Sequence, residues 1–325
     1  MNEGLYHGVG TGVPGSFGRF TYQVVEISQT ISPPAWAKYV SILGIAGGGG
    51  GGGGRLDNAG TAGGGAGGGG GGAKYTYRFP LFMFRTTVLD RFNITIGAGG
   101  TGGAGATTNG FSGAQGTAGG QTRVIMNSPT LVDARIQCGV ICFGGNQGGG
   151  GTQSFVNGGT GGTAYAGNTG GQGGGGSNGT TGQYPFGRPS WSNGPIAEGG
   201  YGGSAKASTA GKVGLVTVPS LLAQNYAQAA VIVAPTENGM DAELVHSNFT
   251  RQYLLSLRKA PQPHEVWFTS CFGGECGYGR DTSGLNGGKG WRGSGGGGGG
   301  GAGATQGGNG GAGGNGVVYF FWEEV

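Results

Sequence analysis

Gly47 through Gly54 form an unbroken run of eight residues without a side chain, and further runs occupy 67–72, 148–151, 173–176 and 295–301. A chain with 89 glycines in 325 residues cannot build an apolar core along its whole length. Average usage is near 7%. Two folds remain open to such runs. One is a flexible tether. The other is polyglycine II, a left-handed helix with three residues per turn and a rise of about 3.1 Å per residue. Such a helix has no internal hydrogen bonds, so neighbouring backbones must serve its N–H and C=O groups. Only residues lacking Cβ let backbones approach that closely.

Spacing separates these two readings. A tether has no reason to keep a period, whereas a three-residue turn returns every third residue to one edge. Gln306, Asn309, Ala312 and Asn315 keep that step, as do Asn157, Thr160, Thr163, Ala166, Thr169 and Gln172. Ala98, Thr101, Ala104 and Thr107 repeat it, and Gly110, Gly113, Gly116 and Gly119 invert it. The recurrence predicts ordered glycine helices and disagrees with the two-residue alternation of a pleated sheet. Collagen is excluded, because it needs glycine at every third position throughout and abundant proline, and the chain has 12 prolines. No apolar stretch reaches the roughly 18 residues of a membrane span, and the N-terminus has no basic-then-apolar secretory pattern.

Short segments rich in Val, Ile, Tyr, Phe and Thr flank the glycine runs and read as strands. They cover 20–27, 38–45, 74–84, 92–96, 122–126, 136–143, 213–218, 229–233, 265–268 and 317–322. Only 220–228, with a weaker candidate at 248–259, reads as helix. The expected fold is therefore all-β, with β-sandwich or jelly-roll-like sheets, a packed polyglycine II bundle and little α-helix. Several strands run straight into glycine, so sheets would supply the apolar anchor. Ordering each residue costs about 1–2 kcal/mol, more for glycine, and only side-by-side tracts sharing hydrogen bonds could offset it. The expected organisation is an attachment segment at 1–30, a glycine-rich domain at 31–218, an insertion or assembly segment at 219–260, and closing strands with a glycine tract at 261–325.

The junctions also carry a resemblance. Ile31-Ser32-Pro33-Pro34-Ala35-Trp36-Ala37-Lys38-Tyr39-Val40-Ser41-Ile42-Leu43-Gly44-Ile45-Ala46, followed by the eight glycines, resembles the opening of the glycine-rich domain of bacteriophage tail proteins. Phe92-Asn93-Ile94-Thr95-Ile96-Gly97-Ala98-Gly99-Gly100 and the ending Gly313-Gly314-Asn315-Gly316-Val317-Val318-Tyr319-Phe320 are similar in the same way. The resemblance implies a phage tail-fibre or tail-tip adhesin, with packed polyglycine II helices and receptor specificity in the loops between them. Glycine-rich domains of the anaplastic lymphoma and leukocyte receptor kinases are similar too, but this chain shows no secretory signal and no kinase segment. The less glycine-rich stretch 221–258 departs from both.

Catalytic patterns fail on inspection. Gly97, Gly99 and Gly102 satisfy G-x-G-x-x-G after a strand, but the next acidic residue is Asp133 and no helix is expected to open there. A dinucleotide site needs both. Around Gly288-Lys289 a phosphate loop fails, because Ser283 and Gly290 stand where glycine and a magnesium-binding hydroxyl belong. His7, His246 and His264 lie in no metal or triad spacing, and His264 beside Cys271 reads better as a structural pair than as a thiol nucleophile. Cys138, Cys142, Cys271 and Cys276 lack the paired two-residue gaps of zinc sites. They read as buried free thiols, with a Cys271–Cys276 loop as the alternative. The net charge of +4 is scattered over Arg55, Lys74, Arg123, Arg188 and Lys212 rather than gathered for nucleic acid.

Aromatic side chains in small-residue stretches are the recognition candidates, since exposed rings anchor binding sites. They are Tyr184, Phe186, Trp191, Tyr201, Tyr278 and Trp291, with Phe111, Phe155 and Tyr165 interrupting other tracts. The equally weighted reading is that these rings cap the bundle. The expectation is a non-enzymatic virion protein, assembled in the host cytoplasm, with no cofactor, metal, nucleic acid or membrane insertion. Its partners would be other virion proteins and a bacterial surface receptor, protein or glycan; the resemblance to fibres implies a homotrimer. Alternatives are a purely architectural decoration or tail protein, an ice-binding protein and an extracellular ligand-binding module.

Overall fold

The computed structural model describes residues 20–60, 62–81, 91–127, 139–153 and 279–324, with 173, 175–176, 197, 199–200, 202–203, 205, 273–274 and 277. Its strands are β1 (Phe20–Val25), β2 (Gln29–Ile31), β3 (Tyr39–Ile45), β4 (Ala73–Pro80), β5 (Arg91–Thr95), β6 (Thr122–Asn127), β7 (Gly139–Cys142) and β8 (Val317–Glu323). No α-helix falls among the described residues. Seven strands coincide with expected segments. The three-residue β2 does not, and the segments at 213–218, 220–228, 229–233, 248–259 and 265–268 lie outside the described residues.

Strand pairing is antiparallel throughout and gives two four-stranded sheets, ordered β1-β8-β3-β4 and β2-β5-β6-β7. Alternation decides which side chains meet, because successive residues on a strand point to opposite faces. Phe92 and Ile94 of β5 and Val124 and Met126 of β6 face Val318, Phe320 and Trp322 of β8 in one shared cluster. Phe92 meets Phe320 edge-on at 5.3 Å, and Phe320 stacks on Trp322 at 5.2 Å. The sheets approach closely at Gly44, where a Cβ would collide with Val140 Cγ1. There the buried thiol of Cys142, a free cysteine, donates to Gly44 O at 3.3 Å. The opposite face of the first sheet is also buried, through Leu43, Ile45, Val317, Tyr319 and Phe321.

Glycine tracts leave the same ends of both sheets. Tract 46–57 continues β3, 62–72 returns into β4, 97–106 continues β5, 111–121 returns into β6, and 306–316 feeds β8. Hydrogen bonds from the 47–55 stretch rotate among three neighbours in steps of three. Gly47, Gly50 and Gly53 donate to Gly120, Thr117 and Ala114. Gly48, Gly51 and Gly54 donate to Gly314, Gly311 and Gly308, and Gly49, Gly52 and Arg55 to Gly69, Ala66 and Gly63, all at 2.8–3.0 Å. The carbonyls of this stretch rotate likewise. Those of 48, 51 and 54 accept from 100, 103 and 106; those of 47, 50 and 53 from 145, 148 and 151; those of 49, 52 and 55 from 296, 299 and 302. Descending register marks the three acceptor tracts as antiparallel, and ascending register marks the three donor tracts as parallel. One glycine run thus has six backbone neighbours.

A second such centre is tract 294–302, buried throughout. It donates to 46–57 and 284–290 and accepts from 62–72, 306–316 and 274–280. Polar side chains close the outer rim. Ala98, Thr101, Ala104 and Thr107 are exposed while Gly100, Gly103 and Ala106 are buried, so the expected three-residue step separates solvent from interior. Asn315 Oδ1 accepts from Gly99 N–H and Asn309 Oδ1 from Gly105 N–H, each at 2.9 Å. Thr117 Oγ1 accepts from Thr101 N–H at 2.7 Å. A side-chain oxygen serves where no further tract supplies a carbonyl.

Candidate functional site

Because strands sit at one end of the tracts, four tract-to-tract turns gather at the other. Leu56 N–H donates to Phe111 O, Gly110 N–H to Leu56 O, and Asp57 N–H to Ala302 O. Asn58 N–H donates to Asn109 Oδ1 at 2.8 Å. On the far side of Ala302, Gly303 N–H donates to Arg280 O, and Ala304 and Thr305 N–H to Thr282 O. Ser283 and Thr305 hydroxyls pair at 2.9 Å. Four turns, around 57–60, 107–111, 280–283 and 303–305, therefore form one connected surface. Gly110 (φ 78°) makes the second turn, a left-handed conformation that glycine adopts without strain.

Beneath this surface lies a small apolar plug of Leu56, Ala106 and Ala302. Beside it, Arg55 Nη2 bonds Asp57 Oδ2 at 3.0 Å, with both side chains about nine-tenths buried. Asp57 Oδ1 accepts from Gly60 N–H at 2.7 Å and from Ala59 N–H at 3.2 Å, bending the chain back toward the next tract. The Gly60 backbone bond, then the Arg55 guanidinium, holds the Asp57 carboxyl below its usual range; burial opposes this and Gln153 adds to it. An ionised carboxylate thus pins the first turn.

Above it the surface is polar, with Asn58, Thr107, Thr108, Asn109, Asp281, Thr282, Thr305 and Gln306 exposed. Phe111 stands out of it at 64% exposure. This combination offers hydrogen bonds and one apolar ring to a ligand, which is recognition chemistry. Among the described residues no group of three or more His, Cys, Asp or Glu side chains could hold a metal ion.

Of the six aromatic candidates, Trp291 is described, and it lies at the opposite, sheet-proximal end. Its ring is half-buried under the Arg292 guanidinium at 4.2 Å. Arg292 in turn bonds Glu26 at 2.7 Å and the Tyr319 hydroxyl at 3.3 Å. Arg292 also has a positive φ of 39° in the turn that opens tract 294–302. Tyr184, Phe186, Trp191, Tyr201 and Tyr278 lie outside the described residues, as do Cys138, Cys271 and Cys276. The turn residues Asp57, Asn58 and Asn109 were not singled out from sequence. Their signal was available: each stands where a tract ends and Asx turn chemistry is favoured.

The family model of the glycine-rich domain matches residues 24–323, from within β1 to the end of β8. No curated protein matches the chain.

Proposed function

Since the chain belongs to the glycine-rich domain family, we propose that its tracts are polyglycine II helices bundled into a stiff stalk that displays a recognition surface. The carrying observation is the rotation of hydrogen bonds by one neighbour per residue, with return to the same neighbour after three. Three-fold screw geometry has that consequence. At about 3.1 Å per residue, the ten residues from 47 to 56 extend roughly 30 Å from the sheets to the turn surface. A rod hydrogen-bonded on all sides loses little further entropy when its tip binds, which favours affinity through pre-organisation.

In this reading the protein is a non-catalytic bacteriophage virion component, a tail-fibre or tail-tip adhesin, whose turns contact a bacterial surface receptor. Phe111, with the amides and hydroxyls around it, supplies the contact. The test is binding of fluorescently labelled protein to intact bacteria. Phe111→Ala should leave the unfolding midpoint unchanged, since an exposed ring contributes within about 0.5 kcal/mol, and should weaken cell binding. Replacing Tyr184 and Trp191 by Ala in a parallel variant asks whether the sequence-derived aromatics contribute as well. If wild-type protein binds no cells yet is incorporated into particles, the architectural alternative takes its place.

A further inference from the structure

The chain contains eight Asn-Gly dipeptides, and four of them lie among the described residues, at 109–110, 286–287, 309–310 and 315–316. All four make the same two bonds. The Asn oxygen accepts a backbone N–H, and the following Gly N–H donates to a backbone carbonyl of the same neighbouring segment. Asn309 and Gly310 hold Gly105 N–H and Gly103 O. Asn315 and Gly316 hold Gly99 N–H and Gly97 O. Asn286 and Gly287 hold both backbone groups of Asn309. Asn109 and Gly110 hold Asn58 N–H and Leu56 O. The distances are all 2.8–2.9 Å.

This dipeptide is also a chemically labile one, because glycine places no side chain around its nitrogen. Once that nitrogen has given its proton to a base, it can attack the Asn side-chain carbonyl carbon. A ring N–C bond forms, the bond to the side-chain nitrogen breaks, and the nitrogen leaves as ammonia after taking up a proton. Water then opens the cyclic imide at either carbonyl, giving aspartate or isoaspartate. The step needs no oxidant or reductant. It does need the Gly nitrogen deprotonated and the Asn carbonyl swung onto it, and the paired bonds oppose both.

We propose that these four dipeptides are deamidation sites that the folded array keeps closed, and that conversion of the folded protein begins at Asn109. Gly310, Gly316 and Gly287 are held within tracts that have neighbours along their length. Asn109 and Gly110 form an exposed turn at the tip, and exposed turns open locally with the smallest free energies. Conversion at 309 or 315 to isoaspartate would add a methylene to the main chain and break the three-residue step. Conversion at 109 would put a new carboxylate on the turn surface and leave the rod intact.

The experiment is peptide mapping by mass spectrometry after incubation at mildly alkaline pH, once folded and once in concentrated guanidinium. In denaturant the four sites should convert at similar rates. In folded protein, positions 286, 309 and 315 should slow by at least about fivefold, the least that two net hydrogen bonds imply, and Asn109 should be the fastest of the four. Equal folded and denatured rates at 286, 309 and 315 would overturn the protection. A folded rate at Asn109 no greater than at the other three would overturn the assignment of the first site.

Discussion

Replacing Gly51 by alanine adds one methyl group at the middle of the most enclosed tract. A Cβ there would collide with Gly297 O, would stand 2.5 Å from Gly297 C and would lie 2.8 Å from Gly296 O. All three are backbone atoms, so no side chain can swing aside. Tract 294–302 must move, and it is itself bonded to five others. Overpacking of this kind costs about 1–3 kcal/mol. Separation also stretches the bonds from Gly296 N–H to Gly49 O and from Gly299 N–H to Gly52 O, each worth about 1 kcal/mol net. The expected loss is about 3–5 kcal/mol, a large share of a typical 5–15 kcal/mol stability. Urea unfolding followed by circular dichroism measures it, as a fall in midpoint at unchanged slope. A slack tether would behave in the opposite sense, since alanine stiffens the unfolded chain and raises stability by about 0.4–1 kcal/mol. A Gly51→Ala protein as stable as wild type would therefore remove the packed array.

Two further predictions follow from the rim and the tip. Gly102 N–H, midway between Gly99 and Gly105, faces Ala312 and has no acceptor among the described residues, so Ala312→Asn should extend the Asn309 and Asn315 pattern. The expected gain is about 0.5–1 kcal/mol in the same urea assay. Asp57→Asn should cost about 1.5–3 kcal/mol near neutral pH, the value of a hydrogen bond to a charged group. Because the Asp57 carboxyl is held below its usual range, its contribution is fully present above the unfolded-state pKa and is lost as pH falls through the lower folded one. Melting temperatures of variant and wild type should converge in acid; a gap that stays constant down to that range would show that ionisation is not what pins the turn.

Much of the sheet framework was legible because side-chain patterns specify it. The alternation Arg91-Phe92-Asn93-Ile94-Thr95 announces one buried face, and the structure buries Phe92 and Ile94. The strand expected through 84 has its described end at Pro80, whose ring supplies no N–H for a ladder. β2 escaped because three residues carry too little alternation to detect. The three-residue step told which tract edge meets water. It could not tell which tract meets which, since glycine-to-glycine contacts involve only backbone and carry no residue code. Asn309 and Asn315 were visible as members of a period, but their acceptor role needs the neighbouring tract in place. The tip surface was hidden for the same reason: Asn58 and Asn109, or Thr282 and Thr305, become neighbours only after the rods are aligned.

The uniformity of 47–54 has a consequence for how such a molecule can change length. Sliding this run by three residues relative to its neighbours would recreate every interior bond, so the middle of the tract holds no record of its own alignment. That record resides at the two extremities, where Ile45 is locked in the sheet and Arg55 and Asp57 are locked beneath the turn. Insertions and deletions are therefore tolerable in multiples of three, and only if facing rods are trimmed or extended to match. Related chains should differ in tract length by multiples of three residues, changed together in several tracts.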